Sequence, residues 1–128
     1  MRITTIGMRI LLGAIFLFFG LNHVFNFLPS GPTPSGHAGQ FLAAMMAVKY
    51  FYLVGLAEAV PGLFLILNRF VPLALLVLAA VIVNIDFVDL TMAHIGLPMG
   101  ALVTILWIYL AYRYRAAFSG VLRPQAEI

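Results

Sequence analysis

The chain contains no cysteine among its 128 residues. A structural disulfide is therefore excluded, and so is a thiol relay built from the protein's own side chains. Redox chemistry that uses a quinone, a flavin or a partner protein is not excluded, because none of these requires a cysteine in this chain. Any redox role would then require a cofactor or a partner protein that carries the redox group.

Charged residues are also scarce. They make up 9% of the sequence and hydrophobic residues 64%, whereas a typical soluble domain is about 25% charged and about 45–50% apolar. This composition predicts an integral membrane protein with a single domain. The formal net charge is +3, but the arginines lie where they set membrane topology, so we expect no nucleic-acid partner.

Several motifs of enzymes and cofactor sites are missing. The sequence has no phosphate-binding loop, no G-x-S-x-G and no dinucleotide-binding fingerprint. Four side chains are conceivable metal ligands, namely His23, Glu58, Asp86 and His94, but none has metalloprotein spacing such as H-x-x-x-H. We therefore expect no metal site, and no paired haem ligands lie at matching depths.

Four apolar segments are long enough to cross a bilayer, since about 20 helical residues at 1.5 Å each span roughly 30 Å. The predicted single domain, 1–128, has spans at approximately 8–27, 48–67, 72–91 and 98–114. Residues 28–40 are predicted to form a loop, because the run PSGPTPSGHAG opposes a regular helix. Residues 41–48 are apolar but short, so they form either an interfacial piece or an extension of the second span.

The cations indicate the orientation of these spans. Only Lys49 falls on one side of the four-span arrangement, and six arginines fall on the other: Arg2, Arg9, Arg69, Arg113, Arg115 and Arg123. By the positive-inside rule, both termini are cytoplasmic and loop 28–40 faces outward. The predicted fold is an all-α, integral membrane, four-helix up-down bundle.

Glu58 lies near the middle of the second span, where a charge costs a contested ~2.5 kcal/mol or more. It shares a helix face with Gly55 and Gly62. Gly13 and Gly20 also lie nearly on one face of the first span, so a neighbouring helix could approach closely there. We expect Glu58 to face either a small polar pocket or a tight helix contact in which it is protonated and bonded to a backbone carbonyl.

Most other polar membrane residues lie at the outer ends of the spans. We predict a pocket that opens outward and binds a ligand through Glu58, His23, Asn84, Asn22, Lys49 and Asp86. His23 and Asn84 are the expected partners of Glu58, with which His23 could hold or pass a proton. Asp86 or Asp89 is the expected partner of Lys49. Simpler roles are snorkelling for His23 and Lys49 and loop capping for Asn22.

Three stretches resemble the DoxX family of small bacterial membrane proteins: RILLGAIFLFFGLNH at 9–23, LVGLAEAVPGLFLILNRFVPLA at 53–74 and VIVNI at 81–85. In that family the positions of His23 and Glu58 match recurrent polar residues. The resemblance implies a four-helix bundle in the bacterial inner membrane. It also implies a looser link to membrane redox chemistry, since some relatives are subunits of thiosulfate:quinone oxidoreductases, although a thiol-based role conflicts with the absence of cysteine.

The leading hypothesis is a membrane protein whose pocket binds a lipophilic molecule with a polar head, either a quinone or a lipid. It would act alone or as a subunit of a quinone-linked oxidoreductase, and quinone is the candidate cofactor. The alternative is a non-enzymatic accessory protein that assembles a partner complex or a homo-oligomer. Proton-coupled transport is the third hypothesis. It ranks behind the other two because four helices without an internal repeat are few for a transporter.

Overall fold

The computed structural model describes residues 2–28 and 34–126. Within these ranges all regular structure is helical, which confirms the all-α class. Two short 3-10 turns, His94–Gly96 and Arg115–Phe118, accompany five α-helices: α1 (Arg2–Phe25), α2 (Gly36–Ala47), α3 (Tyr50–Leu67), α4 (Val71–Thr91) and α5 (Leu97–Arg113).

Helices α1, α3 and α4 are long and apolar enough to cross a membrane. The apolar α5 has 17 residues, at the lower end of the roughly 17–25 that a span needs. Many large apolar side chains on these helices point away from the protein, among them Leu53, Val83 and Ile105. Such surfaces suit contact with lipid tails, as expected of a membrane protein.

The predicted loop 28–40 is wrong at its C-terminal end, because α2 begins at Gly36. The last proline of this segment is Pro34, and the glycines after it, Gly36 and Gly39, weaken a helix without breaking it. The composition of the whole segment did not reveal this boundary. Residues 29–33 of the predicted loop lie outside the described residues. Residues 41–47 belong to α2, which is separated from α3 by a turn at Lys49 with φ of 57°. They are therefore not an extension of the second span.

Helices α1 and α3 pack through glycines, and this is the close approach that the sequence predicted at Gly13 and Gly20 without naming the second helix. A methyl group at Gly13 would lie 2.6 Å from the carbonyl oxygen of Gly62, and one at Gly20 would lie 2.6 Å from that of Gly55. Side chains larger than hydrogen would therefore force the helices apart. Because residue numbers rise along α1 as they fall along α3 in these contacts, the two helices run antiparallel.

Helix α4 packs against α3, and α5 packs against α4 and α1. The indole N–H of Trp107 donates a hydrogen bond to the Leu75 carbonyl oxygen at 2.8 Å, which ties α5 to α4. Fully buried leucines fill the space between the helices: Leu12, Leu65, Leu75, Leu78 and Leu110. Helix α3 continues through Pro61 and ends at Leu67, and a short turn that begins with the C-cap Asn68 leads into α4.

Candidate functional site

Glu58 and His23 form the pair that the sequence predicted. The carboxylate Oε2 of Glu58 lies 3.0 Å from Nδ1 of His23, and the two side chains are 4% and 31% exposed. Each residue follows by three positions a glycine of the α1–α3 contact, Gly55 or Gly20, and so lies on the same helix face one turn further on. The close approach of the backbones therefore brings these two side chains together.

Glu58 and His23 can form a hydrogen bond in either protonation state of the carboxyl group. If Glu58 is ionised, the Nδ1–H of His23 donates to it; if Glu58 is protonated, its hydroxyl donates to a bare Nδ1. The His23 ring is stacked on Phe51, with ring centroids 5.3 Å apart and planes 22° apart. This stacking restrains the imidazole, so that the pair is ordered even though His23 is partly exposed.

A cavity of about 170 Å³ adjoins the pair. We call it the Glu58 cavity, and its walls come from α1, α3, α4 and α5: Ile15, Phe16, Phe19, His23, Glu58, Ile85, Met99 and Val103. Glu58 and His23 are the ionisable groups in this otherwise apolar lining. An apolar cavity of about 150 Å³ in another protein holds a benzene molecule, so the Glu58 cavity has room for one six-membered ring.

Asn84 does not contact Glu58, so that part of the prediction is wrong. Its Nδ2 donates to the carbonyl oxygen of Ala80 in its own helix at 2.8 Å, and the side chain is exposed. The next residue, Ile85, is the one that lines the cavity. Adjacent residues point about 100° apart around a helix with 3.6 residues per turn, and the sequence alone could not set this rotation of α4.

Lys49 does not pair with Asp86 or Asp89, as the sequence predicted it would. It is exposed at the turn before α3, and the ion pair found in the described part of the chain is that of His23 with Glu58. The left-handed backbone at Lys49 ends α2 and keeps this residue outside the helical face of α3. Spacing along a regular helix could not predict that turn.

Asn22 has the simpler of its two expected roles. Its Oδ1 accepts a hydrogen bond from the backbone N–H of Leu28 at 2.9 Å. The side chain therefore caps the chain where α1 ends, and it is not part of the lining of the Glu58 cavity. The sequence was compatible with a ligand-binding role and with a loop cap, and the hydrogen bond with Leu28 favours the loop cap.

Asp86 and Asp89 lie at a different place, between α4 and the start of α5. Asp86 Oδ2 accepts a hydrogen bond from the Thr104 hydroxyl at 2.7 Å. Asp89 is buried, and its Oδ2 has no hydrogen-bond partner among residues 2–28 and 34–126. A methyl group at Gly100 would lie 2.6 Å from that oxygen. The sequence analysis did not predict a role for Thr104 or Gly100. Their only signal was that one is polar and the other small within an apolar span.

The conceivable metal ligands are not brought together. No group of three or more histidines, aspartates and glutamates suited to a metal ion occurs within the described ranges. His94 lies in the 3-10 turn before α5 and is exposed. The ionisable groups thus form a Glu58–His23 pair and a separate Asp86–Asp89 cluster.

The family model described as DoxX matches residues 5–89. The match covers most of the chain and includes both His23 and Glu58, whereas α5 lies beyond it. No curated protein and no solved structure matches the sequence.

Proposed function

Because the chain belongs to the DoxX family, we propose that it is a membrane protein that binds the ring of a lipophilic molecule, a quinone, in the Glu58 cavity. The observation that carries this proposal is a buried Glu58, paired with a partly exposed His23, at the edge of an apolar cavity. Ionisable residues placed inside a membrane protein commonly mark ligand or proton sites.

The size of the cavity favours a ring over a whole lipid. Pockets that enclose complete drug-sized ligands are about 300–1,000 Å³, and this cavity is about 170 Å³. A quinone would place its ring inside, and its isoprenoid tail would lie among lipid tails outside. A lipid headgroup is a weaker fit, because the walls of the cavity are apolar apart from the pair.

The chemistry of the pair suits a quinone carbonyl. The imidazole of His23 can donate a hydrogen bond to such an oxygen, and Glu58, bonded to Nδ1 of the ring, can replace a proton that His23 passes to the quinone. Reduction of a quinone to a quinol takes two electrons and two protons. In the enzymatic form of the proposal, a partner redox protein supplies both electrons and the pair relays protons to the quinone oxygens.

The proposed topology places four spans in the bacterial inner membrane, at approximately 8–27, 48–67, 72–91 and 98–114. The antiparallel α1–α3 contact and the grouping of arginines at one end support an up-down arrangement with cytoplasmic termini. The Glu58 cavity would then open outward. Two C-terminal fusions test this topology. A reporter that works only in the cytoplasm should be active, and a reporter that works only after export should be inactive.

A non-enzymatic accessory role is the alternative. It is favoured by the fact that Glu58 already has a hydrogen-bond partner in His23, so the pair could serve to hold α1 against α3. In that case a partner protein should copurify in stoichiometric amount, and the Glu58→Gln variant should support assembly as well as the wild type does.

The test is binding of a short-tailed benzoquinone to the purified full chain in phosphatidylcholine nanodiscs, measured by equilibrium dialysis. We expect saturable binding, and a loss of about two- to tenfold in affinity for His23→Ala, since a hydrogen bond between uncharged groups contributes about 0.5–1.5 kcal/mol. Asn84→Ala, outside the cavity, is the matched control and should bind as the wild type. Absence of saturable binding, or equal affinity for His23→Ala, would contradict the proposal.

A further inference from the structure

Arg9 is a buried cation for which the described residues supply no counterion. It is 7% exposed. Its Nη1 donates to Asn68 Oδ1 at 2.9 Å and to the Tyr114 hydroxyl at 3.2 Å, and both partners are uncharged. Its Nε has no hydrogen-bond partner within 2–28 and 34–126. Buried charges in proteins are usually paired, because desolvating an unpaired charge is costly.

A second cavity, of about 330 Å³, lies beside this guanidinium. We call it the Arg9 cavity, and it is lined by Arg2, Thr5, Ile6, Arg9, Asn68, Arg113 and Tyr114. Three of these residues are arginines and none is acidic. Arg2 and Arg113 are exposed, so they lie where the cavity meets the surface, and Arg9 lies deeper.

The polar groups around the Arg9 cavity are held in place. Arg113 Nε donates to the Thr5 hydroxyl at 3.1 Å, and the Thr5 oxygen lies 3.1 Å from the Tyr109 hydroxyl. These contacts join the first turns of α1 to the end of α5, while Asn68 fixes the end of α3 to Arg9. The cavity is therefore built from three chain segments and does not depend on a single mobile side chain.

We propose that the Arg9 cavity binds a phosphate group, that of an anionic phospholipid headgroup. Guanidinium groups present planar, paired donors that match phosphate oxygens, and three of them line this cavity. The cavity lies at the start of α1 and the ends of α3 and α5, and basic pockets between membrane helices are suited to such headgroups. Ile6, partly exposed beside the arginines, offers an apolar contact for the start of an acyl chain.

The test uses the full chain in phosphatidylcholine vesicles that contain a minor fraction of spin-labelled phosphatidylglycerol. Electron spin resonance then measures the preference of the protein for the anionic lipid over spin-labelled phosphatidylcholine. We expect a clear preference in the wild type. Arg2→Gln and Arg113→Gln should each lower it about fivefold, which corresponds to about 1 kcal/mol per arginine near the membrane surface.

Arg69→Gln is the matched control, because Arg69 is exposed, follows α3 directly and is not part of the cavity lining. It removes the same charge and should leave the preference within about twofold of the wild type if the cavity, rather than the general field of the arginines, binds the lipid. Arg9→Lys keeps the charge and loses the planar donors, so we expect a weaker preference in a folded protein.

Added inorganic phosphate distinguishes the two sources of this ligand. If phosphate displaces labelled phosphatidylglycerol, the site takes free phosphate as well as the headgroup; if it does not, the site requires the lipid, and either result supports a phosphate site. The proposal is overturned if the wild type shows no preference for the anionic lipid or if Arg69→Gln lowers that preference as much as Arg2→Gln does.

Discussion

Glu58 and Arg9 are both buried, but their surroundings differ in kind. Glu58 meets an ionisable partner, His23, and the two share a proton across 3.0 Å. Arg9, which lies roughly 20 Å from His23 along α1, meets the amide of Asn68 and the hydroxyl of Tyr114, neither of which can neutralise it. The first site pairs a carboxyl group with an imidazole, whereas the second holds a guanidinium among uncharged partners, which is why we propose an anion there.

The largest effect is expected from a substitution that disrupts the α1–α3 contact, on which the Glu58–His23 pair depends. Gly20→Ala places a methyl group 2.5 Å from the backbone nitrogen of Ala59. We expect a loss of about 1–3 kcal/mol in the free energy of unfolding, as for other overpacked cores, measured by thermal denaturation in detergent. Gly7→Ala in the same helix meets nothing within 4 Å and should not destabilise the protein. Equal effects would show that the glycine contact does not hold the helices together.

A comparable effect is expected when Glu58 is left without its partner. His23→Ala should lower the free energy of unfolding by about 1–3 kcal/mol, because a buried polar group loses its hydrogen bond. Glu58→Gln should cost less, since an amide can still bond to the imidazole. In the double variant the two effects should not add, and a double-mutant cycle measures this coupling. Additive effects would mean that the two side chains act independently.

The Arg9 site should respond to the lipid, and the Glu58 site should not. Arg9→Met removes the buried charge and keeps an apolar stem. The stability difference between wild type and Arg9→Met should shift by about 1 kcal/mol in favour of the wild type when phosphatidylglycerol replaces phosphatidylcholine. The same change of lipid should leave the difference between wild type and Glu58→Gln unchanged. A shift of equal size for both variants would remove the distinction between the two sites.

The smallest effects are expected at two residues that the sequence placed in the site. Lys49→Gln and Asn84→Ala change exposed side chains, so each should alter the free energy of unfolding by less than about 0.5 kcal/mol. Neither should weaken quinone binding. A loss of affinity in Asn84→Ala comparable to that in His23→Ala would extend the site to the exposed face of α4.

The sequence was most informative where a regular helix carries the signal. Composition predicted membrane helices, glycine spacing predicted a close helix contact at one face of the first span, and the depths of the polar residues predicted the pairing of His23 with Glu58. It was least informative where local backbone or helix rotation decides: the left-handed turn at Lys49 and the orientation of α4, which turns Ile85 and not Asn84 toward the cavity. The sequence also did not predict the burial of Arg9, because the positions of the arginines were already explained by membrane topology.

The central claim is that the Glu58 cavity holds the ring of a quinone. Photolabelling of the full chain with a short-tailed azidobenzoquinone, followed by mass spectrometry of the peptides, tests it most directly. We predict labels on the cavity walls, at residues such as Phe19 and Met99, which disappear when excess unlabelled quinone is added. Labels confined to lipid-facing residues such as Leu53 and Val83, or labels that do not respond to competition, would contradict it.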